Sequence, residues 1–159
     1  MVNTLLCIGY WLLLMQCLSN VPLMYTDHIP IQRIGIEQRL ALRCVSKLPK
    51  TKHHLFLKRC LSRFDVVRVP EGRLVSFKHR QIAFVMPNVF KERIFLTNLY
   101  NDSSIVGKVH TLLHECYHLY SNKIVDIAYR FDKRYDKLSV QERSKNADSL
   151  AIKTLNDCL

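Results

Sequence analysis

The run His114-Glu115-Cys116-Tyr117-His118 has a spacing that points directly to chemistry. On a helix, positions i and i+4 lie one turn apart on the same face. Two imidazoles placed so can hold one Zn²⁺ through bonds of about 2.0–2.1 Å. Glu115 follows about 100° round the helix from His114, so its carboxylate reaches a water beside the metal rather than the metal itself. The chemistry implied is metal-assisted hydrolysis with one Zn²⁺ per chain, His114 and His118 as ligands and Glu115 as general base. His110, one turn before His114, reads as a supporting or solvent-facing residue, because pairing it with His114 would misplace Glu115.

A hydrolytic zinc site needs a third protein ligand and keeps its fourth position for water. No histidine follows His118, so a carboxylate must serve. On residue type alone the candidates are Asp126, Asp132, Asp136, Glu142, Asp148 and Asp157.

The motif must sit on a helix, and the surrounding residues predict one. Ser103 or Ser104 offers an N-cap, and Ile105, Val109, Leu112, Leu113 and Cys116 form an apolar stripe. Asn122 can end the helix in a left-handed conformation. Upstream, Ile36 to Leu48 has helical spacing and is followed by Pro49; Thr51 can cap a second helix to about Ser62. Strand-like runs follow at Val66–Val69, at Leu74–Phe77 or Ile82–Met86, and at Arg93–Leu99, with Pro70-Glu71-Gly72 as a turn. Downstream, Ser139 and Glu142 form a capping box. Val140, Ala147, Leu150, Ala151, Thr154, Leu155 and Cys158 then recur at helical spacing, on a face expected to pack behind the motif helix. The order helices, strands, helices predicts an α+β fold.

The chain of 159 residues suits one domain. Residues 1–19 read as a signal peptide: they carry no charged side chain, Leu5 to Met15 is apolar, and Cys17 and Ser19 are small residues suited to cleavage after Ser19. That leaves 20–159 as a single domain, irregular from Asn20 to Gln32, secreted and extracellular. Export leaves Cys44, Cys60, Cys116 and Cys158, an even number in an oxidising compartment. The expected pairs are Cys44–Cys60, across a helical hairpin, and Cys116–Cys158, because Cys116 lies about 200° round from His114 and points away from the metal. Asn101-Asp102-Ser103 is a glycosylation sequon in an expected turn. The net charge of +11 reads as a solvated surface or as attraction to acidic partners. Its densest part, Lys47–Arg63, lacks the aromatic interleaving of a specific nucleic-acid binder.

The chain also resembles the aspzincins, the deuterolysin and peptidyl-lysine metalloendopeptidase family. Asp126-Ile127-Ala128-Tyr129 is similar to that family's Asp-x-x-Tyr, and Asn146-Ala147-Asp148-Ser149 to the Asn-Ala-Asp-Ser of its C-terminal helix. The resemblance extends over about Arg93 to Leu155. It implies a zincin-like fold, mainly helical, with a small sheet whose edge strand precedes the motif helix. It further implies that Asp126 is the third ligand and that Tyr129 steadies the oxyanion. Ile94-Phe95-Leu96 would belong to the substrate-facing edge strand, so Phe95, Leu96 and Thr97 are expected to touch substrate. Asp148 would line the pocket for the P1′ side chain and favour a basic residue there. Ala151 stands where lysine-specific members carry a glutamate, so strict lysine preference is not implied. Ile124-Val125 replace the usual Gly-Thr before the ligand aspartate.

The function expected is that of a secreted zinc endopeptidase. It would act as a monomer on proteins or peptides, with no specific nucleic acid and no stable membrane span. Two other classes fit the same residues. One is a catalytically weak or inactive secreted effector on the same fold that binds a partner protein. The other is a basic nucleic-acid or membrane-surface binder in which the motif is accidental.

Overall fold

In a computed structural model, residues 35–69, 82–88 and 92–158 are described. The expected signal peptide and Leu74–Phe77 lie outside them, as does the Pro70-Glu71-Gly72 turn. Helix α1 covers Ile36–Lys47 and α2 covers Lys52–Arg63. The Thr51 side chain accepts from His54 N and fixes the start of α2. Three short strands follow, β1 Asp65–Arg68, β2 Ala83–Phe84 and β3 Arg93–Leu96. Next come the short helix α3 at Asn98–Asp102 and the long helix α4 at Ile105–Tyr120, which carries the HExxH motif. A 3₁₀ turn at Tyr135–Lys137 leads to α5 at Val140–Arg143 and α6 at Ala147–Cys158. The architecture is α+β, largely helical, with a small three-stranded sheet.

The sheet order among the described residues is β1-β3-β2. β3 pairs in parallel with β1, Val66 opposite Ile94, and antiparallel with β2, Phe84 opposite Phe95. This corrects the expectation that the strand before the motif helix is an edge. β3 is central, and the Ile94-Phe95-Leu96 run is buried throughout. Three consecutive apolar residues suit a strand covered on both faces rather than an exposed margin. The strand also stops earlier than its apolar pattern predicts. Thr97 turns the chain, with its N–H and hydroxyl both donating to Ile82 O, and α3 begins at Asn98. The sequon asparagine, Asn101, therefore lies on a short helix rather than in a turn, and its side chain accepts from Arg68.

Helix α4 is the hub. It packs against α1, α2 and α6 and touches β2. Ala41, Leu57, Leu61, Ile94, Leu112, Leu113 and Ala151 meet in one buried core behind the motif. Ser104 caps α4 by accepting from Gly107 N, as predicted, and the helix ends at Tyr120 with Ser121 extended. Asn122 therefore does not supply the cap itself.

Both expected disulfide pairs are corrected. Cys44 bonds Cys158, and Cys60 bonds Cys116. Cys116 does point away from the metal face, but the element behind it is α2 rather than the end of α6. On α1, Ala41 and Val45 join the main core, whereas Cys44 and Leu48 form a separate apolar cluster with Cys158. Each bridge therefore ties a remote pair of helices instead of closing the short α1–α2 hairpin. Two disulfides are consistent with an oxidising, extracellular setting. Among the described residues, no helix is long and apolar enough to cross a membrane.

The predicted C-terminal helix is interrupted. The capping box at Ser139 and Glu142 forms, but it starts only the single turn of α5. The break belongs to Asn146, which is fully buried. Its side-chain oxygen accepts from Ile127 N at 2.9 Å and Ala128 N at 3.4 Å. Its amide donates to Ala128 O at 2.8 Å and Ser149 Oγ at 2.9 Å. Around it, Val125 and Asn146 form a parallel bridge. A side chain that satisfies so many main-chain groups competes with helix continuation, and here it clasps the loop that follows α4.

Candidate metal centre

His114 and His118 project from the same face of α4, one turn apart. Their Nε2 atoms are 3.2 Å from each other. The clasped loop brings Asp126 to them, with Oδ1 at 3.0 Å from His114 Nε2 and 3.1 Å from His118 Nε2. Of the six candidate carboxylates, this is the one that reaches both imidazoles in a group able to hold a metal ion. A tetrahedral ion with bonds of about 2.0–2.1 Å separates its ligand atoms by about 3.3 Å, and the three observed edges are close to that value.

The donor chemistry fits a cation independently of these distances. His118 Nδ1 lies 3.1 Å from the carbonyl oxygen of Ile124. A carbonyl only accepts, so Nδ1 carries the proton and Nε2 presents a lone pair. His114 Nδ1 faces the carboxylate of Asp148, with Oδ1 at 3.9 Å. That separation is longer than a hydrogen bond, but a carboxylate on this side favours a proton on Nδ1, which leaves the lone pair of Nε2 toward Asp126. Two imidazole lone pairs and a carboxylate oxygen thus converge on one point, an arrangement that a divalent cation satisfies and a third acceptor would not.

Tyr129 closes the far side of Asp126. Its hydroxyl donates to Oδ2 at 2.9 Å. Its ring stacks on His114, with centroids 5.8 Å apart and planes 13° apart, and on Phe131 at 5.4 Å and 3°. Burial, together with the Asp126 carboxylate, pushes the Tyr129 phenol above its ordinary range, so the hydroxyl keeps its proton as a donor. Burial alone would raise the Asp126 carboxyl, but in the metal-free form, where a protonated imidazole can donate from Nε2 instead of presenting a lone pair, hydrogen bonds from His114 and His118, and their charge, outweigh it and hold Asp126 well below the usual range.

Glu115 is buried, and burial pushes its carboxyl up against the lowering influence of His114 and His118. It lines a cleft of about 330 Å³ together with His118, Asp126 and Tyr129. Phe84, Val85 and Pro87, from β2 and the segment after it, line it as well. An acid, two metal-ligand candidates and a phenol that share one cleft with apolar side chains can bind an extended chain and activate water there.

The other expected substrate residues lie elsewhere. Phe95, Leu96 and Thr97 are buried in or beside the central strand and do not line this cleft. Phe95 stacks at 5.0 Å on Phe84, which does line it. Asp148 is 2% exposed and also lies off the cleft. Its Oδ2 accepts from Arg130 N at 2.8 Å, and its Oδ1 is 3.2 Å from His110 Nε2. Sequence reasoning gave no role to Asn146 as the clasp of the ligand loop, nor to the Phe84–Pro87 stretch. The available signal for the first was an asparagine immediately before the apolar positions Ala147, Leu150 and Ala151 of the last helix.

No family model, no curated protein and no solved structure matches this chain.

Proposed function

We propose that the protein is a secreted zinc-dependent endopeptidase of zincin type, related in its site to the aspzincins. The observation that carries this reading is the convergence of His114, His118 and Asp126 on one point, with the buried carboxylate of Glu115 lining the same cleft. Two imidazoles and one carboxylate in a compact trio suit zinc with an open fourth position. When bound, the ion supplies Lewis acidity for a water and for the scissile carbonyl.

The chain's own residues supply the rest. Glu115 removes the proton of the attacking water and passes it to the departing amine. Its upward-shifted carboxyl suits a base that must also act as an acid near neutral pH. Asp126 is held in place by Tyr129, and Asn146 fixes the loop on which both sit. Tyr129 is the nearest phenolic donor along this cleft for an oxyanion, once its bond to Asp126 is exchanged for one to substrate. The substrate occupies the cleft that Glu115, Phe84, Val85 and Pro87 line, so the strand beside it is β2 rather than β3. A basic P1′ preference drawn from Asp148 is not part of this reading, because that carboxylate is buried.

The alternative, a secreted effector that binds a partner without turnover, draws on one observation: the Tyr129 hydroxyl is already committed to Asp126. Incubation of the zinc-loaded protein with unfolded casein separates the two. Fragments that disappear on chelation support the peptidase, and bound zinc with intact casein supports the effector.

A further inference from the structure

Asp148 lies behind the metal centre and joins elements that are far apart in sequence. It occupies the first turn of α6, where 2% of its surface is exposed. One carboxylate oxygen, Oδ2, accepts from Arg130 N at 2.8 Å. This pins the residue next to Tyr129, whose ring stacks on His114. The other oxygen, Oδ1, faces two imidazoles of α4. It is 3.2 Å from His110 Nε2, off the ring N–H axis, and 3.9 Å from His114 Nδ1, a charge contact longer than a hydrogen bond. Both histidines are largely buried, with side chains 12% and 7% exposed.

From this arrangement we infer that Asp148 is a positioning residue for the metal, not a substrate-pocket acid. It fixes the tautomer of His114 by keeping the proton on Nδ1. The inference rests on the metal-site reading above and deepens it. An imidazole ligates through a lone pair, so the proton must sit on the other ring nitrogen, and an outer carboxylate facing that nitrogen keeps it there. His118 obtains the same service from a main-chain carbonyl, Ile124 O. His114 lies in mid-helix, where the backbone carbonyls are engaged in the helix, and a side-chain acceptor from α6 supplies the equivalent. His110 Nε2, one turn earlier on α4, also lies within 3.2 Å of Oδ1. Through its other oxygen, Asp148 couples the orientation of His114 to the loop that bears Asp126 and Tyr129.

Asp148→Asn and Asp148→Ala distinguish this role from a purely structural one. In Asp148→Asn the amide oxygen still accepts from Arg130 N, while the amide nitrogen takes the place of Oδ1 and presents a donor to His114 Nδ1. That favours the opposite tautomer, with the proton on Nε2 aimed at the metal. In Asp148→Ala the tautomer is left free, but Arg130 N loses its partner.

Zinc affinity is measured by chelator competition, and thermal stability on the metal-free proteins. The expected result is a crossed order. Asp148→Asn lowers zinc affinity by about 10–100-fold and more than Asp148→Ala does, although Asp148→Asn is the more stable protein. Wild-type affinity in Asp148→Asn overturns the inference, as does a greater loss in Asp148→Ala that follows its stability. Wild-type protein that binds no zinc refutes the metal-site reading itself. Should neither variant fold, ¹⁵N imidazole shifts of the zinc-loaded wild type decide: a proton on His114 Nδ1 upholds the inference, and ligation through Nδ1 overturns it.

Discussion

Asp126 divides its two carboxylate oxygens between two tasks: Oδ2 accepts the Tyr129 hydroxyl at 2.9 Å, while Oδ1 faces both imidazoles of the motif helix. A ligand held from behind in this way keeps its orientation when the ion leaves, and removal of the outer partner of a ligand commonly costs about 10–100-fold in metal affinity. Tyr129→Phe keeps the stacking between His114 and Phe131 and deletes only the hydroxyl. Zinc affinity should fall within that range with little change in thermal stability. Chelator competition against the wild type checks it, and unchanged affinity would show that Tyr129 does not hold the ligand.

Metal binding should strengthen as pH rises through a value above that of an ordinary histidine, about 6.5. Burial alone would lower the His118 pKa, but the hydrogen bond and charge of Asp126, with Glu115 and the Ile124 carbonyl, outweigh it and raise it. A proton on His118 must leave before zinc enters, so acid opposes loading. In the metal-free protein the signs are opposite for the two partners. The raised His118 contributes stability that is complete below about 6.5 and lost as pH rises through its folded value. The depressed Asp126 contributes stability that is present above about pH 3.9 and lost as pH falls. This pair therefore supports the metal-free fold most between about pH 4 and 6.5. Melting curves across pH, with chelator and with zinc, should show the gap between the two curves widening toward alkaline pH.

Asn146→Ala should destabilise the loop that carries Asp126. The substitution strands Ile127 N and Ala128 O, which bond Asn146 at 2.9 and 2.8 Å. A buried polar group without a partner costs about 1–3 kcal/mol. Both folding stability and zinc affinity should fall, read by denaturant titration and by chelator competition on the same samples. Loss of stability with unchanged zinc affinity would separate the clasp from the site.

The disulfides bear on stability rather than on the chemistry. Peptide mapping under non-reducing conditions should recover Cys44 linked to Cys158 and Cys60 linked to Cys116. The first bridge closes a separation of 114 residues. Replacing both of its cysteines with serine should lower stability by about 2–5 kcal/mol, measured by denaturant unfolding. Recovery of Cys44 with Cys60 would contradict the packing of α1 against α6.

Helix α4 and its cap at Ser104 were legible in the sequence because local rules govern them: an apolar stripe, an N-cap and the i, i+4 spacing of His114 and His118. The first two helices were legible on the same grounds. The disulfide partners were not, because the helical period tells which way Cys116 points but not which helix waits there. β3 was misplaced at the edge because Ile94-Phe95-Leu96 looks alike as text whether one face or two are covered. Composition alone left six carboxylates open for the third ligand. Asp126 was singled out by resemblance, and the clasp formed by Asn146 is what brings it to the imidazoles. Asp148 was assigned to the P1′ pocket by resemblance, and the structure buries it away from the cleft. Its burial depends on the docking of α6 against α4, which no local pattern encodes.

The central claim is tested most directly by zinc stoichiometry and casein cleavage measured together on the wild type and on Glu115→Gln. Glu115 lines the cleft but is not among the converging ligands. One zinc per chain should therefore be found in both proteins, with cleavage slowed about 10²–10⁴-fold in Glu115→Gln and abolished in both by chelation. Zinc in neither protein, or cleavage at the wild-type rate in Glu115→Gln, would contradict the account.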